Sequence, residues 1–404
     1  MKLILFCGTT GFGKTTYLKK FRDYCLTKDG YEVTGTEAEN RIKLIKFEDV
    51  LNSIDGSANT DAFLKKDSSK EKYEKIESTF VRIKNEISSL EYEYVFLDIH
   101  LSYYRNSTFF PPFVKDNFLQ LAEKLGNDNI RIITLIDDAY VIWKTIRKRE
   151  DEYPETSLRL REIIAWRSLE VLLSESVAYN LSRGEEDSTA RPVKEYIFAI
   201  RHPPETLYNL AFMPTPRLAY LSYPITHTRK DPNLIKEVNE FRKAAQSMGL
   251  ERRAVVLDPT TIDEIILSLA AKSQPEGDKV ILKQDMRWPG HENDLLDYSS
   301  LWPIEIDRSE VLEVKKDIEN TIRARDYKMI DQSKVVIAYD RYLGGHLSEG
   351  VTEEVRYAVQ TGKLPILFDP KHDSAQGGYH PFGAKAEVVS SVEELLKRFK
   401  TRLG

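Results

Sequence analysis

Short apolar runs alternate with longer amphipathic stretches along most of this 404-residue chain. In the first half the runs are residues 2–7 (Lys-Leu-Ile-Leu-Phe-Cys), 94–98 (Tyr-Val-Phe-Leu-Asp), 131–136 (Arg-Ile-Ile-Thr-Leu-Ile) and 196–200 (Tyr-Ile-Phe-Ala-Ile). Runs of this length suit strands buried on both faces, and their separation by helical stretches predicts parallel βαβ units. Residues 52–72, rich in Ser, Asn, Asp, Gly and Lys, are expected to form a mobile insertion.

Met213-Pro214-Thr215-Pro216 interrupts the pattern. Two prolines in three residues continue neither helix nor strand, so the sequence predicts a junction here, between domains 1–212 and 217–404. A second series follows, with strands expected at Leu218–Ser222, Ala254–Leu257, Val335–Ala338 and Leu364–Phe368. Helices are expected at 233–248, 260–272, 310–325 and about 350–361; Val311, Val314, Ile318 and Ile322 line one face of the third. This order predicts a flavodoxin-like sheet with ligands at the carboxyl ends of its strands. Residues 273–308 form an insertion. Its Met286-Arg287-Trp288-Pro289 and Trp302-Pro303 either stack a base or pack this domain against the other, and packing is the expectation.

Composition narrows the class. Hydrophobic residues at 41% and charged residues at 30% suit a soluble globular protein, and a net charge of −5 argues against coating nucleic acid. Only Cys7 and Cys25 occur, which excludes a disulfide framework and suits a reducing cytosol, so a cytoplasmic location is expected. No apolar run approaches the ~18 residues of a membrane span. The first strand begins at residue 2, so no signal peptide is expected. The seven histidines are scattered, without zinc-site spacing.

The segment Gly8-Thr9-Thr10-Gly11-Phe12-Gly13-Lys14-Thr15 fits G-x-x-x-x-G-K-[ST], the P-loop pattern, between an apolar run and a helical stretch. Glycines let backbone N–H groups curl around phosphate oxygens, and the helix N-terminus adds its dipole. Gly8, Gly11, Gly13, Lys14, Thr15 and Thr16 are therefore the candidate nucleotide-binding residues, for ATP or GTP with Mg2+. Lys14 would reach the β- and γ-phosphates and the Thr15 hydroxyl the metal. Asp98, ending the apolar run 94–98, is the candidate second metal group, or else a cap for the next turn. Arg147 and Arg149 are candidate lid arginines, or else part of a solvated helix face. The fold expected for the chain is α/β in two domains, a P-loop NTPase parallel sheet followed by the flavodoxin-like parallel sheet.

Two resemblances extend this reading. Phe96-Leu97-Asp98-Ile99-His100, with Pro111-Pro112 beyond it, resembles a segment of archaeal-type adenylate kinases in which an apolar strand runs into Asp-Thr-His. Three segments of residues 217–404 resemble the nucleoside 2-deoxyribosyltransferase family, especially its branch that hydrolyses 2′-deoxynucleoside 5′-monophosphates. They are Ala219-Tyr220-Leu221-Ser222-Tyr223-Pro224-Ile225, the stretch from Asp326 through Val335-Val336-Ile337-Ala338, and Ser348-Glu349-Gly350-Val351-Thr352-Glu353-Glu354. The resemblance implies Glu354 as the carboxylate attacking the sugar, Asp326 as its orienting and protonating partner, and Tyr220 in the sugar pocket. It also implies Ser348, Gly350 and Val351 around the 5′-phosphate, with no cofactor needed. Each has a structural alternative: a helix-start carboxylate for Glu354, an N-cap for Asp326 and Ser348, a core aromatic for Tyr220. The implied function is cleavage or transfer at the N-glycosidic bond of a (deoxy)nucleotide, beside an ATP- or GTP-binding kinase-like domain. The alternatives are a nucleotide kinase or a nucleotide-sensing regulator. Small-molecule nucleotides are the implied partners, without nucleic acid or membrane, and the chain is expected to form a homo-oligomer through residues 217–404.

Overall fold

A computed structural model describes the chain except for residues 32, 34–35, 58, 66–67, 90–91, 106–107, 113–114, 149–157, 184–191, 291–294, 340–347, 371–385 and 404. The strands are β1 (Lys2–Cys7), β2 (Ile42–Lys46), β3 (Tyr94–Asp98), β4 (Tyr103–Arg105), β5 (Thr108–Phe110), β6 (Ile130–Ile136) and β7 (Lys194–Ala199). They continue as β8 (Leu218–Ser222), β9 (Val255–Leu257), β10 (Lys279–Leu282), β11 (Ile304–Asp307), β12 (Val335–Tyr339), β13 (Leu364–Phe368) and β14 (Glu387–Val389). Among the described residues they make two five-stranded parallel sheets and two short antiparallel pairs, β4–β5 and β10–β11, so the chain is α/β. One compact unit comprises Met1–Ile200, Glu264–Arg287 and Asp294–Ile318, and the other Arg201–Asp263, Trp288–Asn293 and Glu319–Gly404.

The sheet of the first unit has the order β2-β3-β1-β6-β7. Leu3, Leu5 and Cys7 enter a core with Val95 and Leu97, while Phe6 on the opposite face meets Phe96 edge-on at 5.1 Å. β2 is absent from the sequence expectation. It lies at the sheet edge, and its sequence Ile-Lys-Leu-Ile-Lys interleaves lysines where a central strand would be apolar throughout. Much of 52–72, expected to be mobile, is helical: Phe47–Asp55, Thr60–Leu64 and the start of Ser69–Ser89. Phe47, Leu51 and Phe63 anchor these helices, all fully buried in the core, with Val50 and Leu64 packed against it. The β10–β11 pair buries Val280, Leu282, Ile304 and Ile306 at period two. Trp302 packs against Tyr140 at 6.0 Å.

The sheet of the second unit has the order β14-β13-β12-β8-β9. Ala219, Leu221 and Tyr223 face a core with Leu234, Val238 and Phe241 of helix Pro232–Glu251, which Asp231 caps by accepting from Asn233 and Leu234 N–H. Trp288 belongs to this core, 5.6 Å from Tyr223, and so packs within its own unit. On the other face Val351 and Val355 of helix Glu349–Gln360 pack on Ala338 and Leu367. The helix expected at 310–325 is divided at Val314 into Arg308–Glu313 and Lys315–Asp331.

Candidate functional site

The loop after β1 turns sharply enough that Gly8, Gly11 and Gly13 all have positive φ (136°, 102° and 83°). A Cβ at Gly8 would lie 2.4 Å from the Leu135 carbonyl oxygen, so any side chain there is excluded by backbone. Gly13 is the N-cap of helix Lys14–Lys28 and leaves the helix's first N–H groups without a side-chain cap. Lys14 is buried. Its Nζ lies 2.8 Å from Asp98 Oδ1 and donates to the Ile99 carbonyl at 2.5 Å, while Thr15 Oγ1 donates to Asp98 Oδ2 at 2.7 Å. Burial opposes the charge on Lys14, but the Asp98 and Glu48 carboxylates outweigh it and its pKa is raised. Burial likewise opposes ionised Asp98, and Lys14 carries its pKa below the ordinary value. The structure thus joins Lys14, Thr15 and Asp98, because β1 and β3 are neighbours in register, Phe6 opposite Asp98.

Several residues around this loop carry no motif. Glu170, fully buried on helix Leu160–Arg183, accepts from Gly8 N–H (3.1 Å), Leu101 N–H (3.1 Å), Ser102 N–H (2.6 Å) and the Ser102 hydroxyl (2.8 Å). It ties the loop to the segment after β3. The sequence signal is a charge on the helix's buried stripe of Ile163, Trp166, Arg167, Glu170, Ser174 and Val177. Arg167, on that stripe, forms a two-pronged pair with buried Glu264 at 2.6 and 2.9 Å. His100 Nδ1 donates to the Gly8 carbonyl at 2.5 Å, and burial followed by Lys14 lowers its pKa to about 4, so the ring is neutral.

A cavity of about 320 Å³ opens beside the loop, lined by Gly13, Lys14, Thr15 and Thr16 together with Glu48, Asn52, Asn59, Thr60 and Tyr103. The stretch expected to be a mobile insertion therefore supplies part of its wall. Arg147 is absent from that wall. It donates to the Leu158 carbonyl at 3.3 Å and lies over the Trp143 ring at 5.3 Å. Arg149 lies outside the described residues.

In the second unit Tyr220 and Ser222 project from one face of β8, two residues apart. The Tyr220 hydroxyl donates to Glu354 Oε1 at 3.0 Å and the Ser222 hydroxyl to Oε2. Burial, then the charge of Asp326, raises the Glu354 pKa to about 8. Glu353 turns away and pairs with Arg323 at 3.2 Å. Asp326 sits inside helix Lys315–Asp331 and accepts from Arg325, so it is no N-cap. Ser348 is one: its Oγ accepts from Val351 N–H at 3.3 Å, with Gly350 and Val351 in the helix's first turn. Among the described residues no group of three or more His, Cys, Asp or Glu side chains is placed to hold a metal, and no helix is long and apolar enough to cross a membrane.

No family model and no curated protein matches the chain. It is similar to a solved structure described as a UDP-N-acetylglucosamine 2-epimerase from Listeria monocytogenes, with 12% identity, TM-score 0.23 and coverage of 100% of this chain and 88% of that one. It is also similar to the UDP-GlcNAc 2-epimerase of Methanocaldococcus jannaschii, with 10% identity, TM-score 0.21 and coverage of 100% and 93%. At such scores the likeness carries nothing about activity. These findings correct the expectations drawn from resemblance. No family model and no curated protein bears out the likeness to deoxyribosyltransferases or to P-loop kinases, and N-glycosidic cleavage beside a kinase-like domain is withdrawn with it, as are the nucleotide kinase and the sensing regulator. The physical reason is visible in the segments themselves. Ser348 through Glu354 is an N-capped helix start and Val335–Ala338 a buried parallel strand, features that unrelated α/β chains share.

Proposed function

We propose that the first unit binds a nucleoside triphosphate, ATP or GTP, with Mg2+ on the loop Gly8–Thr15. One observation carries this reading: Lys14 and Thr15 converge on Asp98, at 2.8 and 2.7 Å, where a loop of positive-φ glycines enters a helix N-terminus. The backbone N–H groups there and the Lys14 ammonium suit phosphate oxygens. Thr15 Oγ1 and Asp98 Oδ2 are hard oxygens already adjacent, and one carboxylate with one hydroxyl suits Mg2+, which keeps waters and takes its other ligands from phosphates. Bound there, Mg2+ would neutralise charge on the β- and γ-phosphate oxygens. On this reading the first sheet is that of a P-loop NTPase. The second sheet, in the order its strands occur, runs 2-1-3-4-5, which supports a flavodoxin-like type.

The test is equilibrium titration with fluorescent ATP and GTP analogues, with and without Mg2+. Saturable, Mg2+-strengthened binding is expected, weakened at least about tenfold in Lys14→Ala, a loss of ~1.4 kcal/mol. No saturation at millimolar nucleotide, or equal affinity in the variant, would overturn the reading.

For the second unit, the meeting of Tyr220, Ser222, Asp326 and Glu354 supports an acid–base site in which Glu354 holds its proton at neutral pH. The supporting observation is that the Tyr220 and Ser222 hydroxyls, from one face of β8, both donate to Glu354, and the pH dependence of melting in Glu354→Gln tests whether the carboxyl holds its proton.

A further inference from the structure

Part of the 273–308 insertion lies against the nucleotide loop of its own unit. Residues 295–301 run into a short turn, Ser299–Leu301, where the Ser299 N–H donates to Asp297 Oδ1 at 2.8 Å. The segment is held to the unit beneath it: Leu301 is buried, Trp302 packs on Tyr140, and the Lys148 ammonium donates to the Ser300 carbonyl at 2.9 Å. From this support the Tyr298 hydroxyl donates to the Phe12 carbonyl at 3.0 Å, across 286 residues of chain. A Cβ on Gly13 would lie 3.5 Å from Leu296 Cδ1, so the segment also covers one face of that glycine.

The Phe12 carbonyl and the Gly13 N–H belong to one peptide unit, and that unit is trans. In a planar trans peptide the C=O and the N–H point in opposite directions, so a bond that fixes the carbonyl toward Tyr298 fixes the Gly13 N–H away from it. Gly13 is the N-cap of helix Lys14–Lys28, and its N–H lies outside the helix's own hydrogen-bond ladder, left for a phosphate oxygen. With a φ of 83° and no Cβ, Gly13 does little to hold that peptide by itself. Glu170 performs the matching task at the other end of the loop, where it accepts from Gly8 N–H. One end of the loop is thus held through a donor and the other through an acceptor.

We propose that Tyr298 is a positioning residue for nucleotide binding: by holding the Phe12 carbonyl it keeps the Gly13 N–H aimed at the phosphates, which makes the insertion part of the binding apparatus of the first unit. The inference rests on the nucleotide-binding reading above. Ligand and segment are then coupled through a single peptide, and such coupling is reciprocal. Whatever factor Tyr298 adds to phosphate affinity, bound phosphate adds to the hold of residues 295–301 on the loop. Because the contact is made to the part of the loop that meets phosphates, the effect is indifferent to base and sugar.

The experiment compares wild type with Tyr298→Phe, which keeps the ring and loses only the hydroxyl. Affinities for ATP, GTP and inorganic triphosphate, each with Mg2+, are measured by titration, and backbone hydrogen exchange across residues 295–301 is followed with and without each ligand. The expected result is a loss of affinity of about fivefold, ~1 kcal/mol, equal for the three ligands. In wild type each ligand should slow exchange across the segment by a similar factor, and in Tyr298→Phe it should not. Affinity in Tyr298→Phe within about twofold of wild type overturns the proposal. A loss confined to ATP and GTP overturns it too, because Tyr298 would then act on the nucleoside rather than through the loop. Exchange in wild type that no ligand slows is equally fatal, and this arm needs no variant, so it decides the matter even if Tyr298→Phe does not fold. Wild type that binds none of the three overturns the binding reading, and this inference with it.

Discussion

Replacing Glu354 by Gln tests the electrostatics of the second unit independently of any activity. The ordinary value for the carboxyl is 4.5, and burial together with the Asp326 charge pushes it to about 8, against the opposing hydrogen bonds from Ser222 and Tyr220 and the charge of Arg325. The folded chain therefore holds this proton more tightly than the unfolded chain. Below pH 4.5 both forms are protonated and the stabilisation is fully present; between pH 4.5 and about 8 the unfolded form ionises first, and the stabilisation is lost. At ~1.4 kcal/mol per pKa unit the ceiling is about 5 kcal/mol. Glu354 is half-buried by accessible area, so solvent reaches the group and screening reduces this to about 1–3 kcal/mol. Gln keeps both contacts, its carbonyl accepting from Tyr220 and its amide donating to Ser222, but cannot ionise. Melting temperatures of the two proteins measured from pH 5 to 8.5 should diverge in favour of Glu354→Gln as pH rises, by ~2–4 °C for each kcal/mol. A difference that stays flat across the range, or that shrinks as pH rises, refutes the reasoning, because it means that the two hydroxyl donors outweigh burial and Asp326.

Other outcomes follow from the first unit. Glu170→Gln turns one amide N–H toward a backbone donor whichever way it flips; nucleotide affinity should fall at least about tenfold and stability by ~1–3 kcal/mol, and unchanged affinity would dismiss it as an anchor of the loop. Gly8→Ala forces a Cβ against the Leu135 carbonyl at a φ of +136°, so denaturant titration should show a loss of at least ~1–3 kcal/mol. Arg167→Ala leaves Glu264 buried without its charge partner; a lowered denaturant midpoint equivalent to ~3–5 kcal/mol is expected, and a cost below 1 kcal/mol would show the pair to be dispensable.

What the sequence determined by itself is local. The first strand, Lys2–Cys7, and Tyr94–Asp98 match their expected bounds because a central parallel strand needs an unbroken apolar run. The glycine spacing of residues 8–13 is legible because backbone at positive φ admits almost nothing else. Edge strand β2 and the helices of 47–64 were illegible for the converse reason, since an edge strand or a short helix held at a few buried positions lacks an unbroken apolar run. The deoxyribosyltransferase resemblance failed at the same level: a capping serine, a buried strand and a helix-start glutamate recur wherever α/β chains begin helices beside strands. Tertiary structure decided everything that depends on distance across the chain. Sheet order brought Asp98 to Lys14 and put Glu48 on the wall of their cavity, and helix packing set Glu170 against Gly8 across 162 residues. The rotation of one helix turned Glu354 toward Tyr220 and Glu353 toward Arg323. Sequence records conformational preference residue by residue, but burial and pairing, which set the charge and chemistry of these carboxyls, exist only once the sheets have assembled around them.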